Sequence, residues 1–411
     1  MRIEPFHGYR YAAGDKRDLS PVVAPPYDQI SRETQEQLLA LSPHNIVRLT
    51  LPPNGSAVDR YQGARRVLEG WLAEGVWAPD AEPAIYPYHQ TYTVDGRLVT
   101  RASFIALGEV TDYKDGAVRP HERTHAGPKQ DRMRLLEATG ADIGLLFMLT
   151  SDPDGALLRA AAPAGAPIAE ARDLKGELHR LWRIIDPEVI ARVQALMAPR
   201  PVVIADGHHR YETAVEYARR RRDAGWKLMA FCALEAPGLT IFANHRLIHR
   251  VERFSLEALA RAAAPWFVLT PLADPIRFRP TNRALGVVAG REAKVFRLRD
   301  EAFARLPWPP GTSWAWRGLA VSILHEGLLR PLLEITDDKL DARTHVEYIA
   351  DQAEAARLAR EGRYQAAFLI AATTAEELGA VVEGGELLPQ KSTHFYPKLL
   401  DGLVFHRLDA A

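Results

Sequence analysis

Three polar segments of the 411-residue chain carry side chains that can do chemistry. The first runs Arg119-Pro-His-Glu-Arg-Thr-His-Ala-Gly-Pro-Lys-Gln-Asp-Arg-Met-Arg134. It contains His121-Glu122-Arg123-Thr124-His125, formally the H-E-x-x-H pattern of zinc hydrolases. That pattern works only on a helix, which sets both histidines on one face beside the glutamate. Gly127-Pro128 follows at once and the flanks have no apolar period, so a helix is not expected here. The segment has five Arg/Lys against two acids. Cations favour the charged form of a carboxylate. Such a segment suits either an anionic substrate with Glu122 near the reacting atom or a solvated loop.

The second segment is Val202-Val-Ile-Ala-Asp-Gly-His-His-Arg-Tyr-Glu-Thr-Ala214. It reads as strand, tight turn and helix start in immediate succession. A helix start presents free N–H groups and a partial positive charge, which together bind anions. Gly207 permits the turn, while His208, His209 and Arg210 add donors. Asp206 at the strand end can hold a metal ion or orient a hydroxyl. A simple capped helix is the competing reading. A metal pair of His208 and Glu212 lacks a third ligand.

The third is Gly385-Glu-Leu-Leu-Pro-Gln-Lys-Ser-Thr-His-Phe-Tyr-Pro-Lys398. Gln390 stands where a Walker motif needs its second glycine, and Pro389 and Pro397 leave no room for its helix. Lys391, Ser392, Thr393, His394 and Lys398 still form an acid-free donor cluster, suited to carboxylate or phosphate. An exposed loop would have the same composition.

The elements around these segments point to a mixed α/β (α+β) chain. Ile46–Leu51 reads as a strand, and the 3–4 spacing of Val58, Tyr61, Ala64, Val67, Leu68, Trp71 and Leu72 predicts a helix ending before Gly75. Asp95-Gly96 between 84–94 and 97–107 predicts a hairpin. Residues 111–134 read as polar and turn-rich, 160–169 as a loop or domain junction, and 227–243 as buried strand. Helices are expected at 316–330, 344–361 and 375–383, with a strand at 368–371. The expected division is an N-terminal α/β region, 1–110, followed by a catalytic region, 111–411.

Composition excludes several classes. Hydrophobic residues make up 47%, enough for a core. Fifty-two basic residues balance 52 acidic ones. That balance, with no basic aromatic stripe, argues against nucleic acid and anionic membrane as partners. Cys232 is the one cysteine, so no intrachain disulfide can form, and its apolar surroundings place it in the core. The longest run without Asp, Glu, Lys or Arg is 12 residues, too short to cross a bilayer. The start lacks an apolar signal, so the cytoplasm is the expected location.

Asp206-Gly-His-His-Arg210 resembles the signature of the ParB/sulfiredoxin-like superfamily, and within it that of the free L-serine kinases. Pro120-His-Glu122 is similar to the kinases' block that supplies a catalytic glutamate. Pro389-Gln-Lys-Ser-Thr-His394 is similar to their Pro-Lys-Thr-Thr-Arg-His segment, with Gln390 inserted and the arginine missing. Over nearly its full length the chain is identified as a member of a prokaryotic domain-of-unknown-function family (number one-zero-one-five). The matching blocks are Pro5-Phe-His-Gly8, Ala24-Pro-Pro-Tyr-Asp28, Pro120-His-Glu122, Gly127-Pro-Lys-Gln-Asp-Arg132, Ala205–Ala214 and Lys391–Lys398.

The kinase resemblance implies a ParB/sulfiredoxin-like catalytic core and phosphoryl transfer from ATP or ADP, with Mg²⁺, to the hydroxyl of free L-serine or a related compound. Glu122 would take the hydroxyl proton, and Asp206 would be the second essential acid, directly or through Mg²⁺. Gly207, His208, His209 and Arg210 would hold phosphates, and Lys391, Ser392, Thr393 and His394 the substrate. Lys129 and Arg132 are added as phosphate contacts from composition. The alternatives are a ParB-like nucleotide-binding regulator without kinase activity and a zinc hydrolase on His121 and His125. Oligomeric state stays open.

Overall fold

The computed structural model describes residues 1–12, 18–53, 59–124, 126–221 and 224–408. The chain forms two units: residues 1–120, 124–240 and 397–411, and residues 121–123 with 241–396. Residues 110 and 160–169 both lie inside the first unit.

A nine-stranded mixed sheet organises the first unit. Its order is Val118–Arg119, Val202–Asp206, Leu146–Thr150, Trp226–Ala233, Arg97–Glu109, Tyr86–Val94, Leu178–Leu181 and Ala169–Arg172, with Ile3–Glu4 also on Arg97–Glu109. Leu146–Thr150 is buried along its whole length, as a strand covered on both faces should be. It runs parallel to Trp226–Ala233 and antiparallel to Val202–Asp206. The hairpin forms as expected, with both turn residues at positive φ, Asp95 at 49° and Gly96 at 75°. That is the backbone two-residue hairpin loops require. One core cluster gathers Ile85, Phe104, Met148, Ile204, Tyr211 and Phe231, and another gathers Leu38, Ile46, Val47, Leu68, Trp71 and Trp77.

The second unit is built on a six-stranded antiparallel sheet. Its order is Phe267–Pro271, Glu292–Leu298, Ala284–Ala289, Ala366–Leu369, His245–Ile248 and Val346–Ile349. The helix Gln352–Arg360 buries Ala355, Ala356, Leu358 and Ala359, in one cluster with Leu247 and Val288.

The mixed α/β class is observed, and several elements depart from the expectation. Ile46–Leu51 is not a strand: Val47–Thr50 is a helical turn, started by the Asn45 Oδ1 acceptor on the Val47 N–H at 2.9 Å. A short buried apolar run has no period to separate strand from helix. The polar stretch after residue 111 contains a helix, Ala126–Thr139. Pro128 falls in its first turn, where proline is tolerated because that N–H has no intrahelical partner. The expected helix at 344–361 is a strand, Val346–Ile349, then a helix, Gln352–Arg360. The one at 316–330 is broken into Trp314–Gly318, Ala320–Leu324, a π-helical turn His325–Leu329, and Arg330–Leu333. The strand near 368 is Ala366–Leu369, and the helix Ala375–Glu383 carries a Thr374/Glu377 capping box.

Candidate functional site

The sequence-predicted residues fall into two clusters, one in each unit. The first centres on Asp206, at the end of the strand Val202–Asp206. Gly207 caps the following helix, His208–Arg220, at φ 103°. A side chain would not fit there: a Cβ would lie 2.5 Å from Leu146 Cδ2, in a backbone region that L-residues avoid. A glycine cap supplies no side-chain oxygen of its own to the first N–H groups of this 13-residue helix.

Asp206 is held between two cations. Arg210 Nη2 donates to Oδ2 at 2.8 Å, and Lys398 Nζ donates to Oδ1 at 3.0 Å. Arg210 is itself buried, and its Nη1 donates to the Leu145 carbonyl. Burial weakens its charge, but Asp206, Asp401 and Asp28 more than restore it, so its pKa is raised. Lys398 is placed by the hairpin. Gln90 Nε2 donates to the Lys398 carbonyl at 2.8 Å, and the buried Arg101 guanidinium donates to the Pro397 carbonyl and to Gln90 Oε1. The hairpin expected from Asp95-Gly96 therefore aligns the C-terminal segment on Asp206.

Lys129 and Arg132 lie on the helix Ala126–Thr139. Lys129 Nζ donates to Glu212 Oε2 at 2.7 Å, and Thr124 Oγ1 donates to the same oxygen at 2.8 Å. Glu212 is thus engaged by a cation, away from any pairing with His208 on a metal. Arg132 is buried: it donates to Asp131 and to the Thr50 carbonyl, and its guanidinium lies 3.9 Å from the Tyr27 ring centroid. His208 is buried and His209 half-buried at the helix start.

The second cluster joins Glu122 to the segment 389–394. Lys391 Nζ forms an ion pair with Glu122 Oε1 at 3.8 Å. Lys391 sits at φ 55°, a left-handed backbone unusual for a residue with a side chain. The surroundings impose it. Asn244 Nδ2 donates to the Lys391 and Thr393 carbonyls at 3.1 and 3.0 Å. Arg246 Nη2 donates to the Gln390 carbonyl at 3.1 Å, and Thr373 Oγ1 to the Ser392 carbonyl at 3.3 Å. Ser392 Oγ donates to the Pro389 carbonyl, so this hydroxyl serves the loop. His121, 1% exposed, bonds through Nε2 to Thr393 Oγ1 at 2.9 Å, and its carbonyl accepts the Leu388 N–H. His394 begins the short strand His394–Tyr396.

Arg246 and Asn244 were not legible as site residues. Arg246 is fully buried, lies 5.2 Å from the Tyr348 ring centroid, and among the described residues has no carboxylate bonded to it. Burial pushes its pKa down to about 10, against the pull of Tyr348 and Glu122. The signal was there in Phe242-Ala-Asn-His-Arg246, where polar residues interrupt an apolar run.

Residues 121–124 are not helical, His121 bonds Thr393, and His125 lies outside the described residues. Among the described residues no group of three His, Cys, Asp or Glu could hold a metal ion. Cys232 is buried, and burial pushes its thiol up to about 12, as a core residue rather than a nucleophile. Among the described residues no helix is long and apolar enough to cross a membrane.

This is a mixed α/β chain with a glycine-capped helix corner in one unit and a Glu122–Lys391 ion pair in the other. Its residues 3–322 match the family described as protein of unknown function (DUF1015), and the chain belongs to that family. No curated protein matches it. Among solved structures it is similar to a conserved hypothetical protein from Pyrococcus furiosus, at 13% identity and a TM-score of 0.38, covering 74% of this chain and 96% of that one. It is also similar to a free serine kinase in complex with AMP, at 12% identity and a TM-score of 0.37, covering 71% of this chain and 86% of that one. A variant of that kinase in complex with ADP matches at 12% identity and a TM-score of 0.37, covering 71% and 87%.

Proposed function

We propose that this protein is a nucleotide-dependent kinase of a small hydroxyl compound, with free L-serine as the first substrate to test. One observation carries the reading. Asp206 stands at a glycine-capped helix start, gripped by Arg210 from its own block and Lys398 from a block 192 residues away. A glycine-capped helix start flanked by cations is suited to phosphate oxygens, and a carboxylate beside it to a hydroxyl or a nucleotide-borne cation.

Phosphoryl transfer asks for positioning, charge neutralisation and one proton acceptor. In this reading Glu122 accepts the substrate hydroxyl proton while that oxygen bonds to the terminal phosphorus of ATP or ADP. The bond to the bridging oxygen breaks, leaving ADP or AMP. Gly207 to Arg210 and Lys129 bind phosphate. Lys391, Thr393 and His394 bind the substrate, with Ser392 shaping their loop. Mg²⁺ would take most of its ligands from phosphates and water, with Asp206 as the protein carboxylate, and would neutralise charge on the transferred group. The reading includes a ParB/sulfiredoxin-like core as its fold.

The test is incubation of the full chain with L-serine, Mg²⁺ and ATP or ADP, with detection of O-phosphoserine. Glu122→Gln and Asp206→Asn are each expected to lower turnover by about a hundredfold or more, Glu122→Gln with the melting temperature unchanged and Asp206→Asn with a lower one, because the buried Arg210 loses a charged partner. Absence of both product and nucleotide binding overturns the reading. Nucleotide binding without product on a panel of small hydroxyl compounds favours the regulator instead.

A further inference from the structure

The second unit contains a cleft of about 740 Å³ with two walls. One is the turn 250–254 with the helix Leu256–Ala263. The other runs from the end of the helical turn Arg330–Leu333 through Lys339, on the helix Asp337–Asp341, to His345. That volume suits a small organic molecule. Phe254, Leu259, Leu332 and Leu333 supply apolar lining. The charged and titratable lining is Arg250, Arg253, Lys339 and His345, with Glu252 and Glu334 as its two acids.

These donors are accessible and largely unused. Arg250 and Arg253 are exposed, and among the described residues neither guanidinium forms an ion pair or a hydrogen bond. Lys339 Nζ donates to the Glu334 carbonyl at 3.0 Å, which leaves two of its three N–H groups. His345 Nδ1 bonds the Thr344 hydroxyl at 2.9 Å. With Nδ1 accepting that hydroxyl, Nε2 carries the ring proton and is a donor. Three cations stand against two acids, and at His345 the cations prevail. Burial, and then Lys339, His249 and Arg250, hold its pKa below the ordinary value, and neither glutamate offsets them.

Both arginines stand on an unusual backbone, Arg250 at φ 58° and Arg253 at φ 49°. Gln365 holds the turn between them: its Oε1 accepts the Val251 N–H and its Nε2 donates to the Val251 carbonyl, both at 2.8 Å. Residues kept in this backbone region cluster at ligand clamps. Guanidinium groups and a lysine ammonium are the side chains suited to phosphate oxygens. We propose that this cleft binds a small organic phosphate monoester. Its dianionic oxygens accept from Arg250 and Arg253 on one wall and from Lys339 and His345 Nε2 on the other, and its organic part covers Phe254 and Leu332. The inference uses none of the residues assigned to phosphoryl transfer and does not require kinase activity.

The test is a phenyl phosphate titration of the full chain without nucleotide or added metal, followed by calorimetry and thermal shift. Saturable binding is expected. Benzoate, a planar monoanion, and benzylamine, a cation, should bind at least about tenfold more weakly. Arg250→Gly and Arg253→Gly each remove a guanidinium and relax a left-handed backbone, which offsets the chain freedom that glycine adds. Each should weaken phenyl phosphate about fivefold or more, with the melting temperature close to the parent's. Lys339→Met removes the ammonium from the opposite wall, keeps an unbranched apolar side chain and should weaken binding similarly. Phosphate held instead at the Asp206 corner of the other unit would be indifferent to all three substitutions. No saturable response, equal binding of benzoate or benzylamine, or unchanged affinity in the three variants overturns the proposal.

Discussion

Asp401 is the most informative single group to perturb, because it shares Arg210 with the candidate site. It is 3% exposed, and among the described residues its Oδ1 has no hydrogen-bond partner. Burial pushes its carboxyl from 3.8 up to about 7, even though Arg210, Lys227 and Arg132 all pull the other way. That difference corresponds to about 4 kcal/mol. Below pH 3.8 the carboxyl is protonated in folded and unfolded chains alike, and its contribution to stability is fully present. As pH rises the unfolded chain releases the proton first, so that stability is lost progressively and is gone once pH passes about 7. Asp401→Asn has the same shape and stays neutral throughout. At pH 8 the variant should be more stable than the parent by up to about 4 kcal/mol, less about 1 kcal/mol for altered hydrogen bonds. Between pH 8 and pH 5 that advantage should shrink by about 3 kcal/mol. Urea unfolding of both proteins at pH 5, 6, 7 and 8, followed by circular dichroism, measures it. If the variant is less stable by a constant amount at every pH, Asp401 is an ionised partner of the surrounding cations, and burial does not dominate.

Two further outcomes follow from backbone geometry. Gly207→Ala forces a side chain into φ 103° and against Leu146, and should cost about 2–3 kcal/mol in urea unfolding while weakening nucleotide binding. At Lys391, with φ 55°, glycine relieves the left-handed strain but alanine does not. Lys391→Ala should therefore be less stable than Lys391→Gly by about 1 kcal/mol in the same assay, with turnover on L-serine lowered in both. Equal stabilities would mean that the loop is not held in that backbone conformation.

Local chemistry was legible where one short segment determines its own shape. Asp95-Gly96 requires the hairpin turn it makes, and Asp206-Gly207 the strand–turn–helix corner. Thr374 and Glu377 cap the helix Ala375–Glu383, one of the three expected after residue 316. Legibility failed where a distant group decides. Ile46–Leu51 has a strand's composition, but the Asn45 side chain and burial on three helices' worth of apolar neighbours favour a helical turn. The helix Ala126–Thr139 carries almost no apolar period of its own. Its support comes from tertiary bonds, such as Lys129 to Glu212 and Arg132 to Thr50. Arg132 shows what composition leaves out: in a cationic segment it reads as a phosphate contact, and the structure shows its donors engaged by Asp131 and the Thr50 carbonyl.

The third segment matters more than its composition suggested. It was read as a cluster of donors for one ligand, but its two lysines serve different acids. Lys391 pairs with Glu122 in one unit, and Lys398 with Asp206 in the other. Each lysine is positioned by its backbone, through Asn244 at Lys391 and Gln90 at Lys398, so neither depends on its acid for its place in the chain. A pair fixed in this way is suited to opening: a ligand phosphate or carboxylate that takes the ammonium frees the acid for the ligand's hydroxyl, while the backbone contacts remain.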